Sequence, residues 1–174
     1  NVVFNDVLRG IYDIAGPANY QVLLADTHYS PIEEEHSIRT LLGQSPAGLI
    51  VTGGEQTDAA KAMLKASGVP VVQIMDKVSA PIDINVGFSH FEAGAAVAQL
   101  LLKKSYKKIG FIGARMDPRT CDRLAGFQSI LSAAGCLDIK RIITNPQPSS
   151  IAMGATLFRE LMAVNQGDCD AVFC

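Results

Sequence analysis

Short apolar, β-branched runs separated by amphipathic stretches recur along the chain, and this alternation constrains the fold more than any other feature. The runs cover residues 21–25, 48–52, 69–75, 83–88, 108–113, 140–144 and 170–174. Several are apolar at nearly every position instead of every second one, the pattern of strands covered by helices on both faces. Between them the spacing predicts helices over 3–15, 31–42, 56–67, 90–104, 122–134 and 150–164. In the first, Phe4, Leu8, Ile11 and Ala15 share one face, Val3, Val7 and Ile14 flank it, and Asp6, Arg9 and Asp13 lie elsewhere. Strand–helix alternation of this kind gives an α/β fold with parallel sheets.

The punctuation agrees. Ser30-Pro31 followed by Glu33 and Glu34 supplies an N-cap, a first-turn proline and acids at the positive end of a helix. Asn19, Gly68 and Gly135 sit where helices turn into strands or loops, and all tolerate left-handed backbone. Of the 174 residues 48% are hydrophobic and 18% charged, which supplies a sizeable core and excludes a disordered chain. The chain opens in a helical pattern with no strand before it and stops in a strand with nothing after, so it reads as a piece of a longer protein.

Several function classes are disfavoured. The net charge is −2, and the basic pairs Lys103–Lys104, Lys107–Lys108 and Lys140–Arg141 are scattered, where a phosphate-binding surface needs them clustered. Four cysteines without C-x-x-C spacing, and three histidines without H-x-x-x-H, argue against a zinc site or redox pair and fit a reduced, cytoplasmic setting. No apolar run approaches the roughly 20 residues of a membrane helix. Gly53-Gly54, Gly110 and Gly113 complete no dinucleotide or phosphate loop, so no cofactor is expected. Asp26 and His28 have no nucleophile in register, so no enzyme site is expected there.

Local strings carry a resemblance across essentially the whole chain. Val7-Leu8-Arg9-Gly10-Ile11, Tyr20-Gln21-Val22-Leu23-Leu24, Ala47-Gly48-Leu49-Ile50, Gly68-Val69-Pro70-Val71-Val72, Lys108-Ile109-Gly110-Phe111-Ile112-Gly113 and Arg123-Leu124-Ala125-Gly126-Phe127 stand in order. Together they resemble the lac-repressor/galactose-repressor family of transcription regulators. Ile74-Met75-Asp76, the stretch from Asp83 to Ala93 and that from Gly113 to Thr120 are similar to its gluconate-repressor branch. The resemblance implies two flavodoxin-like lobes of the periplasmic-binding-protein type, residues 1–88 and 89–174, incomplete at both ends. It implies a sugar-sized effector in the cleft, a homodimer, and operator binding through a helix-turn-helix outside this segment. Lobe closure would carry the effector signal to the DNA-binding heads.

In open α/β sheets the ligand lies beyond the carboxyl ends of the strands, here the loops after Met75, Phe88, Gly113 and Thr144. The resemblance puts Arg123 at the family's effector-binding arginine, and guanidinium groups bind carboxylates such as that of gluconate bidentately. Arg115 and Arg119 stand in the loop shared with the gluconate branch, as ligand contacts or as solvated charges. Phe88 aligns with a pocket wall at the lobe crossover, where hinge packing accounts for it equally. Asp76 could accept from sugar hydroxyls, with its register against the family ambiguous by one residue. Phe4 follows the position of the family's first strand, as a pocket residue or as core. Ser149 matches a pocket-lining position within an ordinary Pro-rich loop. His90, beside Ser89, reads as a capping or packing residue.

A periplasmic sugar-binding protein of a transporter is the competing reading, since it uses the same fold, and residues upstream of Asn1 would separate the two. The charge pattern carries a prediction of its own. In a gel-shift assay residues 1–174 should show no sequence-specific retention of an operator fragment; specific retention would place a recognition surface inside this segment.

Overall fold

A computed structural model describes residues 2–174, with side chains from Phe4 onward. Asn1 and the side chain of Val3, part of the predicted stripe, lie outside the described residues. The order is α1 (Val2–Ala15), α2 (Pro31–Leu42), β1 (Leu49–Thr52), α3 (Asp58–Ser67), β2 (Val71–Asp76), β3 (Ile84–Phe88), α4 (His90–Lys103), β4 (Ile109–Ala114), α5 (Pro118–Ala133), β5 (Ile142–Asn145), α6 (Ile151–Val164) and β6 (Ala171–Phe173). The chain divides into two compact units: one up to residue 47 with 55–69, the other 48–54 with 70–174.

The first unit holds α1, α2 and α3. Ser30 caps α2 as expected, its hydroxyl accepting from the Glu33 N–H at 3.3 Å with Pro31 in the first turn. Thr57 caps α3 in the same way, and its hydroxyl donates to Glu35 Oε2 at 2.6 Å, tying the start of α3 to α2. Ile38, Ala60 and Leu64 are buried. Residues 21–25, expected as a strand, form none. A parallel strand exists only where a neighbour supplies the hydrogen-bond ladder, and none of the described strands pairs with this run, which leaves Leu23 and Leu24 exposed. Asp26 and His28 close a local turn in which the carboxylate accepts from the His28 N–H at 3.0 Å.

The second unit contains two parallel three-stranded sheets, ordered β1-β2-β3 and β5-β4-β6. In the first sheet Val72 pairs with Ile84 and Asp76 with Phe88, so β2 and β3 end together. The core of the second sheet is aromatic. Phe111 of β4, Phe127 of α5 and Phe173 of β6 meet with ring centroids 5.4–5.8 Å apart, beside buried Ala98, Ile109 and Leu131. Each fully buried Phe contributes about 1.5–3 kcal/mol relative to exposure. The predicted strand 140–144 begins instead with a 3-10 turn, Ile139–Arg141, because Asp138 caps it from the Lys140 N–H and pairs with Arg141.

Helices α4 and α5 pack backbone to backbone, and two glycines permit it. A Cβ at Gly94 would fall 2.0 Å from the Arg123 carbonyl oxygen, and one at Gly126 would fall 1.9 Å from that of Phe91. Helix α5 starts at Pro118, ahead of the expected 122, since Asp117 caps it by accepting from the Thr120 N–H at 2.9 Å. The two kinds of helical glycine predict opposite outcomes. Gly126→Ala should destabilise by about 1–3 kcal/mol or more through overpacking, although Ala is the better helix former. Gly154→Ala, with nothing within 4 Å of its Cβ position, should leave stability unchanged or raise it by about 0.4–1 kcal/mol. Thermal melts of both variants check this.

Candidate ligand-binding site

The carboxyl ends of β2 and β4 leave regular geometry. Met75 has φ +77°, Arg115 +70° and Met116 +46°, a region that costs a non-glycine residue of order 1–3 kcal/mol unless its surroundings hold it there. Asn85 holds the first kink. Its amide donates to the carbonyls of Gln73 (3.0 Å) and Asp76 (2.8 Å), and its Oδ1 accepts from the Val78 N–H (3.0 Å). Gly87 is required opposite, since a Cβ there would lie 2.1 Å from the Asp76 carbonyl oxygen. At the second kink the Arg115 N–H donates to the Gln147 carbonyl at 2.8 Å, joining the β4–α5 loop to the β5–α6 loop.

Three candidate ligand contacts meet around His90, which the sequence marked only as a capping or packing residue. His90, buried in the first turn of α4 behind the Ser89 cap, places Nε2 2.8 Å from Asp76 Oδ1. That contact is close, yet the ring N–H is not aimed along it as in an aligned hydrogen bond. On the other side His90 Nδ1 lies 3.0 Å from Arg123 Nη1. Arginine can only donate, so Nδ1 accepts and the ring proton resides on Nε2, the nitrogen nearer Asp76. Arg123 Nη2 donates to Thr120 Oγ1 at 2.9 Å. Phe88 packs on the imidazole with centroids 4.6 Å apart, while half of its surface stays exposed. Among the described residues the half-buried Arg123 has no carboxylate partner.

The other expected residues stand as follows. Arg119 pairs with Asp117 at 3.3 Å. Arg115 is half-buried at the kinked loop. Ser149 is exposed after β5, next to Ser150, the cap of α6. Phe4 is half-buried in the first unit. The sequence reading did not anticipate that His90 joins Asp76 to Arg123, nor the parts of Thr120 and Asp117. For Asp117 a signal existed, since Asp-Pro followed by Thr is a helix start. For His90 the local signal, its place beside Ser89, pointed only to capping or packing. Burial alone would raise the Asp117 carboxyl, but the Thr120 N–H and hydroxyl and the Arg119 guanidinium outweigh it and hold the group below its ordinary value of 3.8. Among the described residues no group of three or more His, Cys, Asp or Glu could hold a metal, and no helix is long and apolar enough to cross a membrane.

The family described as periplasmic binding protein domain matches residues 1–174. The chain belongs to that family. It is 42% identical over 173 residues to the HTH-type transcriptional regulator GntR of Pseudomonas aeruginosa, covering 99% of this chain and 50% of that protein. Among solved structures it resembles the transcription regulator GntR of Chromobacterium violaceum, with TM-score 0.93, 37% identity, and 99% and 63% of the two chains covered. A LacI-family regulator of Silicibacter pomeroyi superposes with TM-score 0.90 at 36% identity, covering 99% and 52%. The chain spans about half the length of the curated relatives it matches. The resemblance drawn from the strings is thus correct at family level, and these relatives are named as regulators, not enzymes.

The Asp117 cap predicts a pH signature. A carboxyl depressed in the folded state contributes stability that is complete above its unfolded value and is lost as pH falls through the folded one. Asp117→Asn keeps a good cap and loses the charge, so it should melt below wild type at pH 7. The gap should close as pH drops below about 4. Melting curves across that range check it.

Proposed function

We propose that this chain is the effector-binding part of a LacI-type transcription regulator, and that the effector is gluconate or a close aldonate. The observation that carries the reading is Arg123. It is a half-buried guanidinium beyond the strand ends, anchored by two neutral groups and without a carboxylate partner among the described residues. Such a cation attracts an anionic group, and a carboxylate matches its fork. Arg115, Arg119 and the gluconate-branch strings support an acid over a neutral sugar. Phe88 offers an apolar wall and Ser149 a hydroxyl, Asp76 can accept from the sugar, and Phe4 is a further apolar candidate. The regulator acts in the cytoplasm as a homodimer and contacts operator DNA through a helix-turn-helix outside these residues. Effector binding changes lobe closure and so the spacing of the DNA-binding heads.

Titration calorimetry of the intact protein against gluconate, glucose, ribose and hypoxanthine tests this. Gluconate should bind best, and tighter binding of the purine or of a neutral sugar would overturn the assignment. Arg123→Ala should weaken gluconate by about 30- to 4,000-fold, the 2–5 kcal/mol that follows when a buried charge loses its partner. Operator binding should survive. A variant that melts early yet binds gluconate normally would assign Arg123 to the scaffold.

A further inference from the structure

We propose that His90 is the positioning residue that aims Arg123 at the effector's carboxylate, orienting the guanidinium without cancelling its charge. The proposal rests on the reading that Arg123 meets the effector and names a residue on which that recognition depends. A free arginine side chain samples many rotamers, and a bidentate contact uses only one plane of the fork. Here each terminal nitrogen is held once, Nη1 by His90 Nδ1 at 3.0 Å and Nη2 by Thr120 Oγ1 at 2.9 Å. Each terminal nitrogen thus keeps one N–H, and Nε keeps its own, for a ligand.

The chemistry of the anchor matters. A carboxylate in the place of His90 would fix Arg123 firmly but neutralise it, leaving little attraction for an anion. An imidazole lone pair orients the group and leaves the charge. Asp76 sits on the far side of the ring, 2.8 Å from Nε2, where it favours the tautomer whose Nδ1 is free to accept. The ring itself cannot swing away. It is buried, stacked on Phe88 at 4.6 Å, and carried on the first turn of α4, whose Gly94 lies against the Arg123 backbone. The relay Asp76–His90–Arg123 therefore joins the end of β2 to α5 through one ring.

Two replacements that differ in reach test the assignment in the intact protein. His90→Asn leaves an amide oxygen close to the Nδ1 position, whereas His90→Gln carries its amide one carbon further, toward Nε2, and cannot accept from Arg123. Nitrogen-15 NMR of the ligand-free protein should show the Nε2-protonated tautomer of His90 and slow rotation of the Arg123 Nη groups. That slow rotation should persist in His90→Asn and be averaged in His90→Gln. Gluconate should bind His90→Asn nearly as wild type and His90→Gln roughly ten- to hundred-fold more weakly, the worth of one hydrogen bond to a charged group. Binding of glucose, which lacks the carboxylate, should not separate the two variants. Equal gluconate affinity in both variants, or restricted Arg123 signals that survive in His90→Gln, would overturn the proposal. If the NMR signatures hold and wild type ignores gluconate, the positioning contact stands and the aldonate assignment falls. Thr120→Val removes the other anchor with His90 intact, and should weaken gluconate in the same direction if both hold the fork.

Discussion

Everything at the candidate site depends on how closely the backbones of α4 and α5 approach. Gly94 and Gly126 remove the side chains that would hold the helices apart, and each places its bare Cα side against a carbonyl of the opposite helix. Arg123 stands one turn before Gly126, and His90 one turn before Gly94, so the two side chains project near the crossing. Their 3.0 Å contact follows from helix packing more than from side-chain flexibility. On the sheet side Phe127 and Leu131 bury the same helix in the core. Anchored on both sides, α5 offers Arg123 a platform with little freedom, the condition for a site held to a fraction of an ångström.

The strand ends add the second constraint. Left-handed backbone at Met75, Arg115 and Met116 works against stability, yet each lies at the carboxyl end of a strand where the site residues gather. The Met75 kink persists because Asn85 satisfies the carbonyls on both sides of it and Gly87 leaves room opposite. Strain concentrated at such positions, and over-determined by hydrogen bonds, marks a surface shaped for something other than the stability of its own chain.

Much of this could be read from the residues, and what could not had physical reasons. Short apolar, β-branched runs, several of them continuous, identified β1 through β6, and Ser30-Pro31 located the start of α2. Residues 21–25 had the composition of a strand, but composition cannot reveal whether a ladder partner is present. The start of α5 was placed late because apolar periodicity begins only after the polar first turn, where the Asp117 cap was the better guide. Arg123, Asp76 and Phe88 were named separately, from the resemblance and from the rule for strand ends. Their convergence is a tertiary fact. His90 looked like a capping residue because it follows Ser89, and its two ring nitrogens acquire meaning only when residues 14 positions before and 33 after come within reach.

The close helix crossing divides the surroundings of the site into two classes of position with different capacity for change. Arg123 and His90 stand on elements whose separation is set by glycines, so replacing either disturbs a packed frame. Arg115 and Ser149 lie in loops, Arg115 tied to the β5–α6 loop through its main-chain bond to the Gln147 carbonyl. Side chains there can be exchanged at small cost in folding, since substitutions away from packed contacts usually stay within about half a kcal/mol. A lineage carrying this scaffold could reshape the surface at its strand ends by drift in two loops while the packed contact between His90 and Arg123 stays in place.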